Sequence, residues 1–395
     1  MSKRMSPPSN TVSGTLLGSQ RDLFDIPEDI AYLNCAYISP LLNSVRDVGI
    51  ASSGRKSHPW EILPSDFFSD AEQSRMLFAE LIGATADDIA LVPAASYGTA
   101  TAARNLPAGP GERILVLHDQ FPSNVYPWRE LAKERGGTIV TLPHPEDDDW
   151  TRAILEILDE RVAIAALPHV HWTDGAMIDL ERVATRCREV GSALVIDGTQ
   201  SVGALPFDVN AIRPDFLVVA TYKWLLGPYG AGYLYVAPKW QDGVPLEHNW
   251  INRQGSEDFS NLVEYRDGYQ PGARRFDVGE RGNIHLVPMA KTALRQLLDW
   301  SVENIQTTIR ARTDRIAERA TDMGIGTLPR KQRAGHYLGL RFPGGVPEGL
   351  ANRLAQEKVY VSVRGRNAVR ITPHLWVTDR DEDRLFDVLK SALPE

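Results

Sequence analysis

The chain has 395 residues, room for two domains, with 43% hydrophobic and 24% charged residues and a formal net charge of -8. That balance argues against a surface built chiefly to hold nucleic acid or an anionic membrane, and no apolar run approaches the roughly 18 residues of a membrane span. Only two cysteines, Cys35 and Cys187, are present, so no disulfide framework is expected and cytoplasmic residence is the default.

In chain order, residues 1–20 are rich in Ser, Pro, Gly and Thr and read as a disordered leader without the apolar core of a signal peptide. Residues 21–50 are assigned to an N-terminal segment that packs with a small domain. Residues 51–285 are assigned to a large α/β domain, and residues 286–395 to a smaller C-terminal α+β domain. Short apolar runs recur at Ile89–Val92, Arg113–Leu117, Thr138–Leu142, 163–167, 193–196, Phe216–Ala220 and Gly232–Val236. Most are continuous, the pattern of strands covered on both faces. Between them, Leu180, Val183, Ala184 and Cys187 share one face of a predicted helix. The alternation predicts a seven-stranded, mostly parallel sheet with right-handed crossovers. Strands stop near residue 237. A loop-rich stretch runs to about residue 285, followed by a long helical stretch over 287–323 and an α+β tail.

Chemistry concentrates at the ends of the apolar runs. Lys223 follows Phe216–Ala220 and precedes the turn Gly227-Pro228-Tyr229-Gly230. A lysine against an apolar strand end is costly unless it is neutral or covalently used. Its bland alternative is a snorkelling surface lysine, which the flanking Trp224, Leu225 and Leu226 disfavour. Asp197 ends the run at 193–196. It could hold the nitrogen of a pyridine ring protonated or simply cap the following turn. Ala95 and Ser96 open a helix after Ile89–Val92, where backbone amides could hold an anion, although plain capping is the commoner use. Phe121 could stack on a flat ring or fill the core. His169 and His171, two apart, with Asp174 could suggest a metal, but no further clustered ligand of metal spacing joins them, so hydrogen bonding is preferred. Arg370 could grip a carboxylate, or pair with the acid-rich segment 379–383.

Asp197-Gly198-Thr199-Gln200-Ser201-Val202-Gly203, followed by Thr221-Tyr222-Lys223-Trp224-Leu225-Leu226-Gly227-Pro228-Tyr229-Gly230, resembles the core signature of class V aminotransferase-fold enzymes, which depend on pyridoxal phosphate. That group includes cysteine desulfurases, selenocysteine lyases, kynureninases and isopenicillin-N-epimerase-like proteins. The resemblance spans roughly residues 30–390. It implies the PLP-dependent transferase fold type I and a homodimer with active sites at the subunit interface. It assigns Lys223 as the internal Schiff-base lysine, Asp197 as the pyridinium partner and Gln200 as the partner of the ring hydroxyl. Ala95, Ser96, Tyr222 and Trp250 fall to the phosphate, Phe121 to ring stacking, and Thr199 joins the cofactor residues. Arg370 takes the substrate's α-carboxylate, with Asn34, Tyr37 and Trp172 beside it.

Three departures stand out. No cysteine follows Cys187, so a persulfide-forming desulfurase is disfavoured. Glu280 stands where the family places a threonine that reaches the neighbouring subunit's phosphate, leaving Arg281 or Asn283 as substitutes. Trp172 stands where many relatives carry an asparagine. The aromatic surroundings, Tyr97, Trp172, Trp250 and Tyr37, suggest a substrate larger than cysteine. The expected activity is a lyase acting on an amino acid or amino-acid conjugate, by C–S or other Cβ cleavage or by kynureninase-like C–C cleavage. An aminotransferase or an epimerase is the alternative. From another class comes a non-catalytic cofactor-binding regulator or sulfur-relay partner. No metal, nucleic acid or membrane partner is expected.

Overall fold

The computed structural model describes residues 14–364 and 368–393. Seven strands form one sheet in the spatial order Ile89–Val92, Gly232–Val236, Phe216–Ala220, Ala193–Asp197, Val162–Pro168, Arg113–Leu117 and Thr138–Leu142. Only Gly232–Val236 runs against its neighbours. The seven apolar runs are the seven strands. Two are longer than expected: the run at 163–167 gains a residue at each end, and the run at 193–196 gains Asp197, which pairs with Val218. The central strands are buried along their whole length, with alternate residues facing opposite layers of core. Leu194, Ile196, Leu217 and Val219 enter one cluster; Val195, Phe216 and Val218 enter the other. Helices on both faces account for the continuous apolar runs.

The stretch 287–323 is two helices, Leu286–Trp300 and Val302–Asp322, broken at Ser301. Ser301 has φ 62°, a left-handed conformation that stops a right-handed helix, and its hydroxyl donates to Glu303. Behind these helices a three-stranded antiparallel sheet is ordered Ser362–Arg364, Ala368–Ile371, Leu338–Arg341. The N-terminal strand Ala31–Tyr32 runs parallel to Val359–Tyr360, and Asn34 bridges Thr372.

Of the expected disordered leader, residues 1–13 lie outside the described residues. Residues 14–20 depart from the expectation. Thr15 N donates to Asn304 Oδ1 (2.7 Å), Leu17 N to Thr308 Oγ1 (2.9 Å) and Gln20 N to Leu375 O (3.0 Å). Polar composition hid this because the segment is held largely by its backbone amides, with Leu17 its one side chain packed against the core. No helix among the described residues is long and apolar enough to cross a membrane.

One buried charge cluster fixes the first strand. Arg75 and Asp277 are both fully buried, with Nη2–Oδ2 at 2.7 Å; Arg281 Nη1 also reaches Asp277 Oδ2 at 2.7 Å, and Leu91 N donates to Oδ1 at 2.6 Å. One carboxylate therefore neutralises two buried guanidiniums next to Ile89–Val92. Asp277→Ala would leave Arg281 without its acidic partner and Arg75 with Glu72 alone (Nε–Oε1 3.2 Å), and should destabilise the fold by about 3–5 kcal/mol, read as a lowered urea midpoint.

Candidate active site

The carboxyl ends of the parallel strands open into a cavity of about 210 Å³, the usual ligand crevice of an open α/β sheet. Pro93, Pro168, Asp197 and Ala220 bring four strand ends to its wall, and Lys223 enters from the turn after Phe216–Ala220. That turn is rigid. Thr221 Oγ1 donates to Ala231 O (3.0 Å), Gly227 N to Thr221 O (2.9 Å) and Leu226 N to Lys223 O (3.1 Å). A Cβ on Gly203 would lie 2.3 Å from Trp224 O, so only glycine lets the two turns approach.

Lys223 is 6% exposed, its Nζ 5.2 Å from the Phe121 ring centroid and 5.4 Å from that of Tyr222. Burial pulls its pKa down to about 8 against the opposing charge of Asp197, and Arg370 and Arg364 push it further down. The amine is therefore available in neutral form near physiological pH.

Asp197 is buried, and its Oδ1 accepts from Thr199 N at 3.0 Å. Capping and cavity-lining are thus the same placement: the carboxylate orders its own turn while facing the cavity. Thr199 Oγ1 accepts from Ala220 N (3.2 Å), locking the two strand ends together. Gln200 Oε1 accepts from Trp224 Nε1 (3.0 Å), and its Nε2 donates to Ala36 O (3.1 Å), which leaves one N–H. Its backbone carbonyl meets His336 Nε2 at 2.7 Å, and burial holds the His336 pKa down at about 4, so that imidazole stays neutral.

Helix Ala95–Asn105 points its N-terminus at the same cavity. The amides of Ala95 and Ser96 donate to no group among the described residues, and no side chain caps them. A Cβ on Gly98 would lie 2.5 Å from Val218 Cγ2, so glycine seats this helix against the sheet. Phe121 meets Trp172 edge-on at 5.5 Å, and Trp172 Nε1 donates to Asp119 O (2.6 Å).

Arg370 is 1% exposed. Nη1 donates to Trp172 O (3.1 Å) and Nη2 to Ser362 Oγ (3.2 Å), while Nε has no partner among the described residues. Asn34 Oδ1 lies 3.5 Å from Nη2 and accepts from Ser362 Oγ at 2.8 Å. The ion pair with 379–383 does not form, because Asp379, Asp381, Glu382 and Asp383 pair with Arg21, Arg312, Arg315 and Arg319 instead. A buried guanidinium without a carboxylate is expensive, so this one calls for an anion.

Nine expected residues line the cavity: Ala95, Ser96, Phe121, Trp172, Asp197, Thr199, Gln200, Tyr222 and Lys223. Tyr37 is 61% exposed and lies apart from the wall. Trp250 is not brought to the cavity. It packs with Phe259 (5.4 Å) and Phe67 (6.4 Å) in a partly exposed aromatic cluster. Arg281 is no free substitute for the missing threonine. It is 1% exposed and tied to Asp277 and Gln270, both at 2.7 Å. Asn283 is engaged as well, its Oδ1 accepting from His285 N and Leu286 N at the start of a helix.

Sequence reading missed Gln120, whose Oε1 accepts from Leu117 N (3.0 Å) while Nε2 donates to Asn124 O (2.6 Å) and Ala166 O (3.1 Å). It thereby holds the Phe121 loop at the cavity. A buried amide directly after a strand was the available signal.

The family model described as "Aminotransferase class-V" matches residues 55–378. The chain belongs to that family. Among curated relatives it is 27% identical to "Uncharacterized aminotransferase YcbU" of Bacillus subtilis (strain 168), over 80% of this chain and 82% of the relative. It is 26% identical to "Isopenicillin N epimerase" of Streptomyces clavuligerus, over 82% and 84%. Among solved structures it resembles a mutant of C-DES with glycine covalently linked to its PLP cofactor, with TM-score 0.83 and 17% identity over 94% of this chain and 98% of that one. It also resembles the apo cysteine desulfurase of Thermococcus onnurineus NA1, with TM-score 0.81 and 19% identity over 95% and 98%. The fold is the type I fold of pyridoxal-phosphate enzymes.

The class V cofactor is pyridoxal 5'-phosphate, and the cavity fits it. The unpartnered amides at the start of Ala95–Asn105 suit a phosphate, the buried Asp197 suits a cationic ring nitrogen, and the half-neutral Lys223 suits covalent attachment. A pH dependence follows from the Lys223 pKa of about 8, since only the neutral amine attacks an aldehyde. Uptake of pyridoxal phosphate by the cofactor-free class V protein should rise about tenfold per pH unit below 8 and level off above it, followed by stopped-flow absorbance.

Proposed function

We propose that this class V protein is a lyase acting on an amino acid or amino-acid conjugate. The observation that carries the amino-acid reading is Arg370, a buried guanidinium that has no acidic partner among the described residues, stands behind the wall residue Trp172 and acts on the charge of Lys223. Bound pyridoxal phosphate supplies an electron sink for negative charge developing at Cα. Arg370 holds the α-carboxylate and so fixes which Cα bond is presented for cleavage. Lys223 takes the proton from Cα and returns it to the departing product. Asp197 would hold the ring nitrogen's proton, Gln200 would offer its remaining N–H to the ring hydroxyl, and Tyr222 would join Ala95 and Ser96 in holding the phosphate. Phe121 and Trp172 exclude water from the reacting face.

Burial opposes thiolate formation at both cysteines. Cys35 is fully buried, its thiol pushed well above the usual range by desolvation, and Cys187 is pushed up to about 12. This supports a lyase whose products leave directly. Two unpaired cysteines agree with a cytoplasmic enzyme, and the aromatic cluster around Trp250 supports a homodimer in which that face meets the partner's cavity. Product analysis over a panel of amino acids and S-conjugates tests the reading. Release of an oxo acid with stoichiometric ammonia supports elimination. A new amino acid formed with an oxo acid would replace the lyase by a transaminase. Solvent deuterium at Cα without net conversion would favour epimerisation, the second reading, which the extent of the match to isopenicillin N epimerase supports.

A further inference from the structure

Arg364 was not among the expected site residues, and its position is unusual. The strand Ser362–Arg364 pairs antiparallel with Ala368–Ile371, Ser362 opposite Arg370 and Arg364 opposite Ala368. Residues two apart on a strand share a face, so Ser362 and Arg364 stand on the same side of the hairpin as Arg370. Ser362 confirms the register, its Oγ accepting from Arg370 Nη2 at 3.2 Å. Arg364 places its guanidinium carbon 5.0 Å from the centroid of the Trp172 ring, and Trp172 lines the cavity. Arg370 holds the backbone carbonyl of that same tryptophan. Two guanidiniums thus bracket one cavity-wall residue.

Among the described residues neither arginine has a carboxylate within ion-pair distance. The groups nearest in charge to Arg364 are Arg370, Tyr337 and Tyr37, none of them an acid. The Nε of each is buried without a hydrogen-bond partner. Both cations oppose protonation of Lys223, so both act on the space around that amine. One arginine is accounted for by an α-carboxylate. A second unpaired cation on the same face raises repulsion that a monoanionic substrate would leave uncompensated.

We propose that Arg364 binds a second anionic group, a carboxylate on the substrate's side chain, so that the pocket selects dicarboxylic amino acids or conjugates ending in a carboxylate. The proposal rests on the reading of Arg370 as the α-carboxylate site. The planar guanidinium, its carbon 5.0 Å from the Trp172 ring centroid, can offer a pair of N–H groups for a bidentate contact, an arrangement a lysine would not reproduce. The aromatic wall then serves to orient the cation rather than only to enclose a bulky substrate.

The test uses the cofactor-loaded protein and unreactive probes of matched size, succinate and glutarate against their monoamides succinamate and glutaramate, with dissociation constants from ligand-observed NMR. The wild type should bind at least one diacid about tenfold or more tighter than its monoamide. Arg364→Gln should bring that ratio close to one, leave monoamide binding unchanged and leave covalent attachment of the cofactor intact, and Arg364→Lys should recover only part of the preference. Equal binding of each diacid and its monoamide by the wild type, or equal weakening of both by Arg364→Gln, would overturn the proposal. If instead Arg370→Gln leaves the monoamides unaffected, the α-carboxylate reading beneath it is the one that fails.

Discussion

Lys223→Ala should yield a folded protein that no longer carries pyridoxal phosphate covalently and turns over about 10²–10⁴-fold more slowly. The fold should survive, because the substitution removes a desolvated cation while the backbone bonds of the turn remain. Borohydride reduction followed by peptide mapping reads the outcome directly. In the wild type the pyridoxyl mass should fall on the peptide containing Lys223 and nowhere else. Lys239, Lys291 and Lys358 sit in ion pairs with Asp215, Asp70 and Asp29 and do not line the cavity. Label on a different lysine, or unchanged turnover in the variant, would remove Lys223 from the chemistry.

Arg370→Gln should act on substrate rather than on cofactor. Losing a buried, charge-assisted contact to a carboxylate should lower kcat/KM by about 10²-fold or more, chiefly through KM, while covalent attachment of the cofactor is retained. Glutamine can still donate to Trp172 O, so the wall need not collapse. Arg370→Lys should recover little, because a point charge cannot bridge Ser362, the Trp172 carbonyl and a carboxylate at once. If kcat fell while KM held, the residue would be acting on the reacting bond and not on binding.

The sheet was legible because every one of its strands is a short apolar run bounded by turn residues, and burial on both faces left little alternation to misread. The cavity residues at strand ends were legible for the same reason: Asp197 and Lys223 are single charges at the ends of such runs. The break at Ser301 was not, since a serine within a helical pattern carries no local signal for a positive φ. Trp250 packs with three phenylalanines away from this chain's cavity, and a motif match says nothing about which neighbours will surround a side chain. Arg281 illustrates the same limit. Its sequence position suggests a spare cation, but Asp277 must neutralise two arginines, and the second is Arg75, some two hundred positions away. Arg364 escaped notice because its meaning depends on strand register against Arg370, which only pairing reveals.

The seam between the N-terminal strand and the last strands bears on biosynthesis. Asn34 and Ser362, 328 positions apart, meet beside Arg370, and Ala31–Tyr32 has its partner only at Val359–Tyr360. A ribosome therefore releases all seven strands of the sheet, and the segments carrying Asp197 and Lys223, well before the end that carries Arg370 can form. During that interval Ala31–Tyr32 lacks its strand partner, which leaves this early segment open to a chaperone while translation finishes.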